Sequence, residues 1–191
     1  MVNRANILGF DIEYETVCRD VKYPRLEFKT GGLVLILPRG YKKETELIDK
    51  HKDWVYKKNS IIKTAIEQAK NQKIERNRSE EDLKKLVNRF AKKFSMELKV
   101  SIKKIYFKKL KSKWGSCSSK GNLTFNSLLR HLSEDLIKYV VLHEVAHRIE
   151  KKHKDGFWDI ISRYFSNYAE KEKKLLLYWF VVQEFIKKKS S

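Results

Sequence analysis

The sequence predicts an α+β fold, with small sheets and amphipathic helices alternating along the chain and one helix carrying a pair of histidines. Three observations predict it. Runs of β-branched and aromatic residues with strand alternation occur near the N-terminus and again between residues 97 and 128. Longer stretches repeat apolar residues at three and four positions, the helical spacing. One of those stretches contains His143-Glu144-Val145-Ala146-His147. At 191 residues, with 41% hydrophobic and 12% aromatic residues, the chain can bury a core without metal or disulfide support, which excludes a disordered chain.

Taken in order, ILGFDIEYETV (6–16) and LEFKTGGLVLIL (26–37) read as a small antiparallel sheet punctuated by Gly31-Gly32 and Pro38-Arg39-Gly40. From Lys43 to about Ile74 the spacing of Leu47, Ile48, Trp54, Val55, Ile61, Ile62 and Ile66 predicts a helix, divided or kinked at Asn59-Ser60. The polar segment Gln72–Ser79 reads as a linker. Ser79 then caps a helix whose buried face is Leu83, Leu86, Val87, Phe90, Ala91 and Phe94. Alternation from Glu97 to Leu110 predicts a strand, with a bulge where the parity changes at Lys103-Lys104. Turn chemistry at Ser118–Asn122, followed by Leu123, Phe125 and Leu128, closes a hairpin. Ser133, with Glu134 and Asp135 behind it, opens a helix to about Glu150, and a last helix runs from Asp155-Gly156 to about Ile186. These elements group into a strand-and-helix region, residues 1–75, and a core, residues 76–191, expected to form one compact unit.

Lys and Arg number 43 against 24 Asp and Glu, a net charge of +19, so acidic partners such as nucleic acid or nucleotides fit the composition. The surplus is dense at Lys103, Lys104, Lys108, Lys109, Lys111 and Lys113, which either guide an anionic substrate or form a solvated face; no RNA- or DNA-binding motif decides between them. Cys18 and Cys117 are too few and too far apart for a disulfide framework, and a reducing cytoplasm fits best. The longest apolar run, Leu175–Val182, would extend only about 12 Å as a helix, so no membrane span is expected. Its apolar circumference suits packing on the paired-histidine helix or a partner interface.

Residues four apart on an α-helix differ by about 40° in azimuth, so His143 and His147 leave one face and can take two corners of a zinc tetrahedron. Glu144 projects beside them, where its carboxylate can act as a general base on metal-activated water. Zinc needs a third protein ligand. On a continuing helix His153 would sit about 280° around and about 15 Å along from His143, so the helix must end near Glu150 if His153 is that ligand. The spacing equals that of the metzincin motif, but Glu150 stands where that motif has a turn glycine. A downstream acid, Glu170, is the alternative third ligand.

The stretch Lys111–Trp158 resembles the YgjP-like family of predicted bacterial zinc metallopeptidases, relatives of the SprT-like proteases. The residues that carry the resemblance are KSKWGSCSSKGNLTFNSLLRHL (111–132), YVVLHEVAH (139–147) and HKDGFW (153–158). The resemblance implies a zincin-like fold, His143, His147 and His153 as ligands of Zn2+, Glu144 as catalytic acid/base, and a peptide or protein substrate. Trp114, Gly115 and Ser116 then read as an edge strand receiving an extended peptide, or alternatively as a core aromatic and a turn. Cys117 reads as a buried thiol more readily than as a ligand or nucleophile. Asn126 and Arg130 are candidates to donate to a developing oxyanion or, alternatively, are structural, with Tyr164, Tyr168 and His131 as further candidate electrophiles. His51, among Asp49, Lys50, Lys52 and Asp53, reads as a solvated histidine. Two other readings stand beside the peptidase: a metal-dependent nucleoside triphosphate pyrophosphatase, and a nucleic-acid-associated SprT-like protease or binding module. The oligomeric state is not legible.

Overall fold

Leu33–Leu37 are buried without interruption, and a strand hidden on both faces needs neighbours on both edges. In the computed structural model, which describes residues 2–29, 32–69 and 74–190, this requirement organises the first of two compact units, Met1–Lys70 and Asn71–Ser191. Strands β1 (Val2–Ile7) and β2 (Phe10–Arg19) pair antiparallel around Leu8-Gly9, both at positive φ. Strand β3 (Arg25–Lys29) pairs antiparallel with β4 (Gly32–Pro38). The two pairs join through parallel β2–β4 contacts, from Tyr14↔Leu33 to Arg19↔Pro38, in the order β1-β2-β4-β3. The sheet is therefore mixed, where an antiparallel one was expected. The link after β2 passes over the end of β4 and places β3 on its far edge, so β4 gains a neighbour on each side.

Helices α1 (Glu44–Lys50) and α2 (Lys52–Ala69) complete the unit, with Leu47, Ile48 and Val55 in its core. The helical stretch divides at the exposed His51 and continues unbroken through Asn59-Ser60. Gly31 and, in the expected linker, Gln72 and Lys73 lie outside the described residues.

In the second unit the Ser79 hydroxyl accepts the Asp82 N–H at 3.0 Å and opens α3 (Glu80–Glu97), which buries Leu83, Val87, Phe90, Ala91 and Phe94. The helix runs through Glu97 and closes with Lys99 at φ 53°, so the following strand, β5 (Lys104–Lys108), is shorter than the alternation suggested. The parity change at Lys103-Lys104 marks its start, not a bulge. Strand β7 (Asn122–Asn126) is central, parallel to β5 and antiparallel to the edge strand β6 (Gly115–Cys117). A 3-10 turn at Ser127–His131 leads to α4 (Glu134–Ala146), capped by Ser133. The last helix is two, α5 (Asp155–Ser162) and α6 (Tyr168–Ser190). Between them Phe165 turns into the core, and the Asn167 carbonyl takes the N–H groups of Glu170 and Lys171 to start α6. Leu175, Trp179 and Val182 of the apolar run share one core with Tyr139–Leu142 of α4, which gives that run a packing role. No helix among the described residues is long and apolar enough to cross a membrane.

Candidate metal centre

Helix α4 ends at Ala146, four residues sooner than expected, and His147 follows it with nearly helical backbone angles. His143 and His147 therefore keep the one-face relation of an i, i+4 pair. The chain then turns through Arg148–Lys154 and returns His153 to the same point. The His153 Nε2 lies 2.9 Å from the His143 Nε2 and 3.1 Å from the His147 Nε2. One ligand atom from each ring lies within 4.8 Å of the others, the only such His, Cys, Asp or Glu group among the described residues. A tetrahedral zinc ion with bonds of about 2.05 Å sets its nitrogens about 3.3 Å apart, so this all-imidazole set fits a borderline-soft divalent ion. Burial, together with the neighbouring imidazoles, holds His147 and His153 below the ordinary histidine pKa and favours the neutral form a metal requires.

Contacts outside the triad orient it. The His147 Nδ1–H donates to the Glu150 carbonyl at 3.0 Å, which leaves Nε2 with its lone pair. Phe157, fully buried, lies against all three imidazoles at ring-centre distances of 4.9, 4.7 and 4.7 Å, an apolar floor to the site. Trp158 stacks on His153, and Tyr168 stacks on Trp158. Glu170 is exposed at the start of α6 and does not join the histidines. The α6 acid that approaches is Glu172, whose Oε1 is 3.6 Å from His143 Nδ1 and accepts the Tyr139 hydroxyl at 2.7 Å. Burial pushes the Glu172 carboxyl up, but the contacts with His143 and Tyr139 outweigh it and hold the group below its usual value. Burial, then Glu172, pushes the Tyr139 hydroxyl well up.

Glu144 is 6% exposed and packs against β6: a Cβ built on Gly115 would stand 2.7 Å from its Cγ and Oε1. Burial pushes its carboxyl up to about 7, against the opposing charges of His143 and Lys113. Among carboxylates that range suits a proton acceptor working near neutral pH.

The remaining predicted residues separate. Ser116 lies half-buried on β6 beside Gly115. Trp114 is buried; its indole N–H donates to the Leu175 carbonyl at 3.1 Å and its ring meets Trp179 edge-on, so it is a core aromatic. Asn126 takes the structural one of its two readings: its amide nitrogen donates to the Leu110 and Lys113 carbonyls at 3.0 and 2.9 Å, and its oxygen accepts the Leu128 N–H. It ties down the loop that leads into β6. Asn126→Ala is expected to cost about 1–3 kcal/mol, because it leaves the buried Leu128 N–H and two part-buried carbonyls without their partner, and a denaturant melt that moved by less than about 0.5 kcal/mol would contradict that role. Arg130 is half-buried and donates from Nε to His131 Nε2, while the His131 Nδ1–H bonds the Glu75 carbonyl. Tyr164 meets Phe94 edge-on. Burial pushes the half-buried Cys117 thiol up, which keeps it protonated.

Glu172 and Phe157 were missed as parts of the site. Phe157 stands in the HKDGFW segment, so its nearness to His153 was visible, whereas nothing distinguished Glu172 from the other acids of α6.

The family model for the YgjP-like metallopeptidase domain matches residues 27–177. Two solved structures are also similar. The metallopeptidase zymogen jannalysin of Methanocaldococcus jannaschii is 31% identical with a TM-score of 0.41, over 49% of this chain and 91% of that one. The metallopeptidase zymogen abylysin of Pyrococcus abyssi is 22% identical with a TM-score of 0.41, over 46% and 87%. No curated protein matches the chain.

Proposed function

Because the chain belongs to the YgjP-like metallopeptidase family, we propose that it hydrolyses peptide bonds with a zinc ion held by His143, His147 and His153 and with Glu144 as general base. The observation that carries this reading is the meeting of three histidine Nε2 atoms, with the buried carboxyl of Glu144 within electrostatic reach of His143. Zinc in such a site supplies Lewis acidity, polarising a carbonyl and bringing the pKa of water towards neutrality. Glu144 takes the proton from the attacking water and returns it to the departing amide nitrogen. Its contact with Gly115 sets it beside β6, whose outer edge can take an extended peptide by main-chain hydrogen bonds, with Ser116 next along the strand. The apolar floor at Phe157 lowers the local dielectric and strengthens the electrostatics of the step.

Elemental analysis tests the metal first. One zinc per chain is expected in the purified protein, lost or sharply reduced in His143→Ala and His153→Ala. Absence of zinc in the wild type, with none taken up at neutral pH, would overturn the reading.

A further inference from the structure

We propose that Glu172, steadied by Tyr139, is the positioning residue that fixes the His143 ring for metal binding, an inference that rests on the three-histidine reading. An imidazole that binds through Nε2 must carry its proton on Nδ1, and a hydrogen-bond acceptor there selects the tautomer and stops the ring from turning. His147 has such an acceptor in the Glu150 carbonyl. For His143 the structure sets Glu172 Oε1 3.6 Å from Nδ1, a few tenths of an ångström outside direct hydrogen-bond range.

The arrangement is built by two helices. Tyr139 and His143 are four residues apart on α4 and so share a face, and α6 brings one carboxylate oxygen onto both. Tyr139 is fully buried with Phe165 edge-on to its ring at 5.3 Å, so its hydroxyl is a rigid anchor for the carboxylate. The negative charge facing Nδ1 favours the proton on that nitrogen and leaves Nε2 with its lone pair.

The test is zinc affinity, measured by competition with a chromogenic chelator, for the wild type, Glu172→Ala, Glu172→Gln, Tyr139→Phe and His143→Ala. Glu172→Ala is expected to weaken zinc binding by about 10–100-fold with the fold intact by circular dichroism. Glu172→Gln keeps an acceptor without the charge and should fall between it and the wild type, and Tyr139→Phe should lose several-fold. In 15N spectra of the metal-free protein, His143 should carry its proton on Nδ1 in the wild type and become a tautomer mixture in Glu172→Ala. Wild-type zinc affinity in both Glu172→Ala and Tyr139→Phe, while His143→Ala loses the ion, overturns the positioning role alone. Wild-type affinity in His143→Ala overturns the three-histidine reading instead.

Discussion

Glu144→Gln is expected to lose peptide hydrolysis by about 10²–10⁴-fold while keeping its zinc, and to make the metal-free protein more stable above pH 7. The two effects have one source. The carboxyl is buried against β6 with its pKa pushed up to about 7 from an ordinary 4.5, so folding takes up a proton between those values. Stability that depends on proton uptake falls as pH rises: the cost is absent well below 4.5, grows through the window, and is complete above 7, at about 3 kcal/mol. Glutamine has the shape of the protonated acid and does not bear that cost. Thermal melts of the metal-stripped proteins should therefore diverge from pH 5 to pH 8, with the variant higher, and converge near pH 4. Wild-type turnover in the variant would sink the general-base role, and parallel melting curves at every pH would sink the buried-charge account.

Gly115→Ala should damage the site from the other side. Its new Cβ would lie 2.7 Å from Glu144 Cγ and Oε1 and 2.9 Å from Cδ, closer than real Cβ contacts come. Because Cγ stands near the backbone of α4, the clash is not relieved by swinging the carboxylate end alone. Either β6 leaves its register with Phe125 or Glu144 leaves its position. The expected result is at least a 100-fold fall in kcat/KM and a destabilisation of about 1–3 kcal/mol, read as a lower Tm. Gly156→Ala is the control: nothing lies within 4 Å of its added methyl group, and in α5 the change should stabilise by up to about 1 kcal/mol without altering turnover. Near-normal activity in Gly115→Ala would mean that the contact has no bearing on catalysis.

Local chemistry was the legible part of this chain. Ser79 and Ser133 cap helices because a hydroxyl followed by acids serves the free N–H groups of a first turn, a signal contained in four residues. The azimuth argument placed a turn between His147 and His153, and the turn is there. Pairing between distant segments was not legible. The parallel pairing of β2 with β4 joins two distant segments, and the continuous apolar run Leu33–Leu37 carries no signal of its neighbours' direction. The break at Phe165 was hidden because apolar spacing continues across it. The two readings of Asn126 stayed open because sequence cannot show which carbonyls surround an amide, and Glu172 became visible only when α6 was set against α4.

The register of β5 on β7, Lys104 opposite Asn122, has a consequence for the order of assembly. Every pairing of the second unit's sheet closes within residues 104–126, and the three histidines fall within 143–153, so these parts have small sequence separation and low loop-closure entropy. The Leu175 carbonyl and Glu172 are contributed from further along the chain. During synthesis, then, the three imidazoles emerge before α6 is complete. Docking of α6 afterwards brings Glu172 onto Tyr139 and His143, which α4 has already placed.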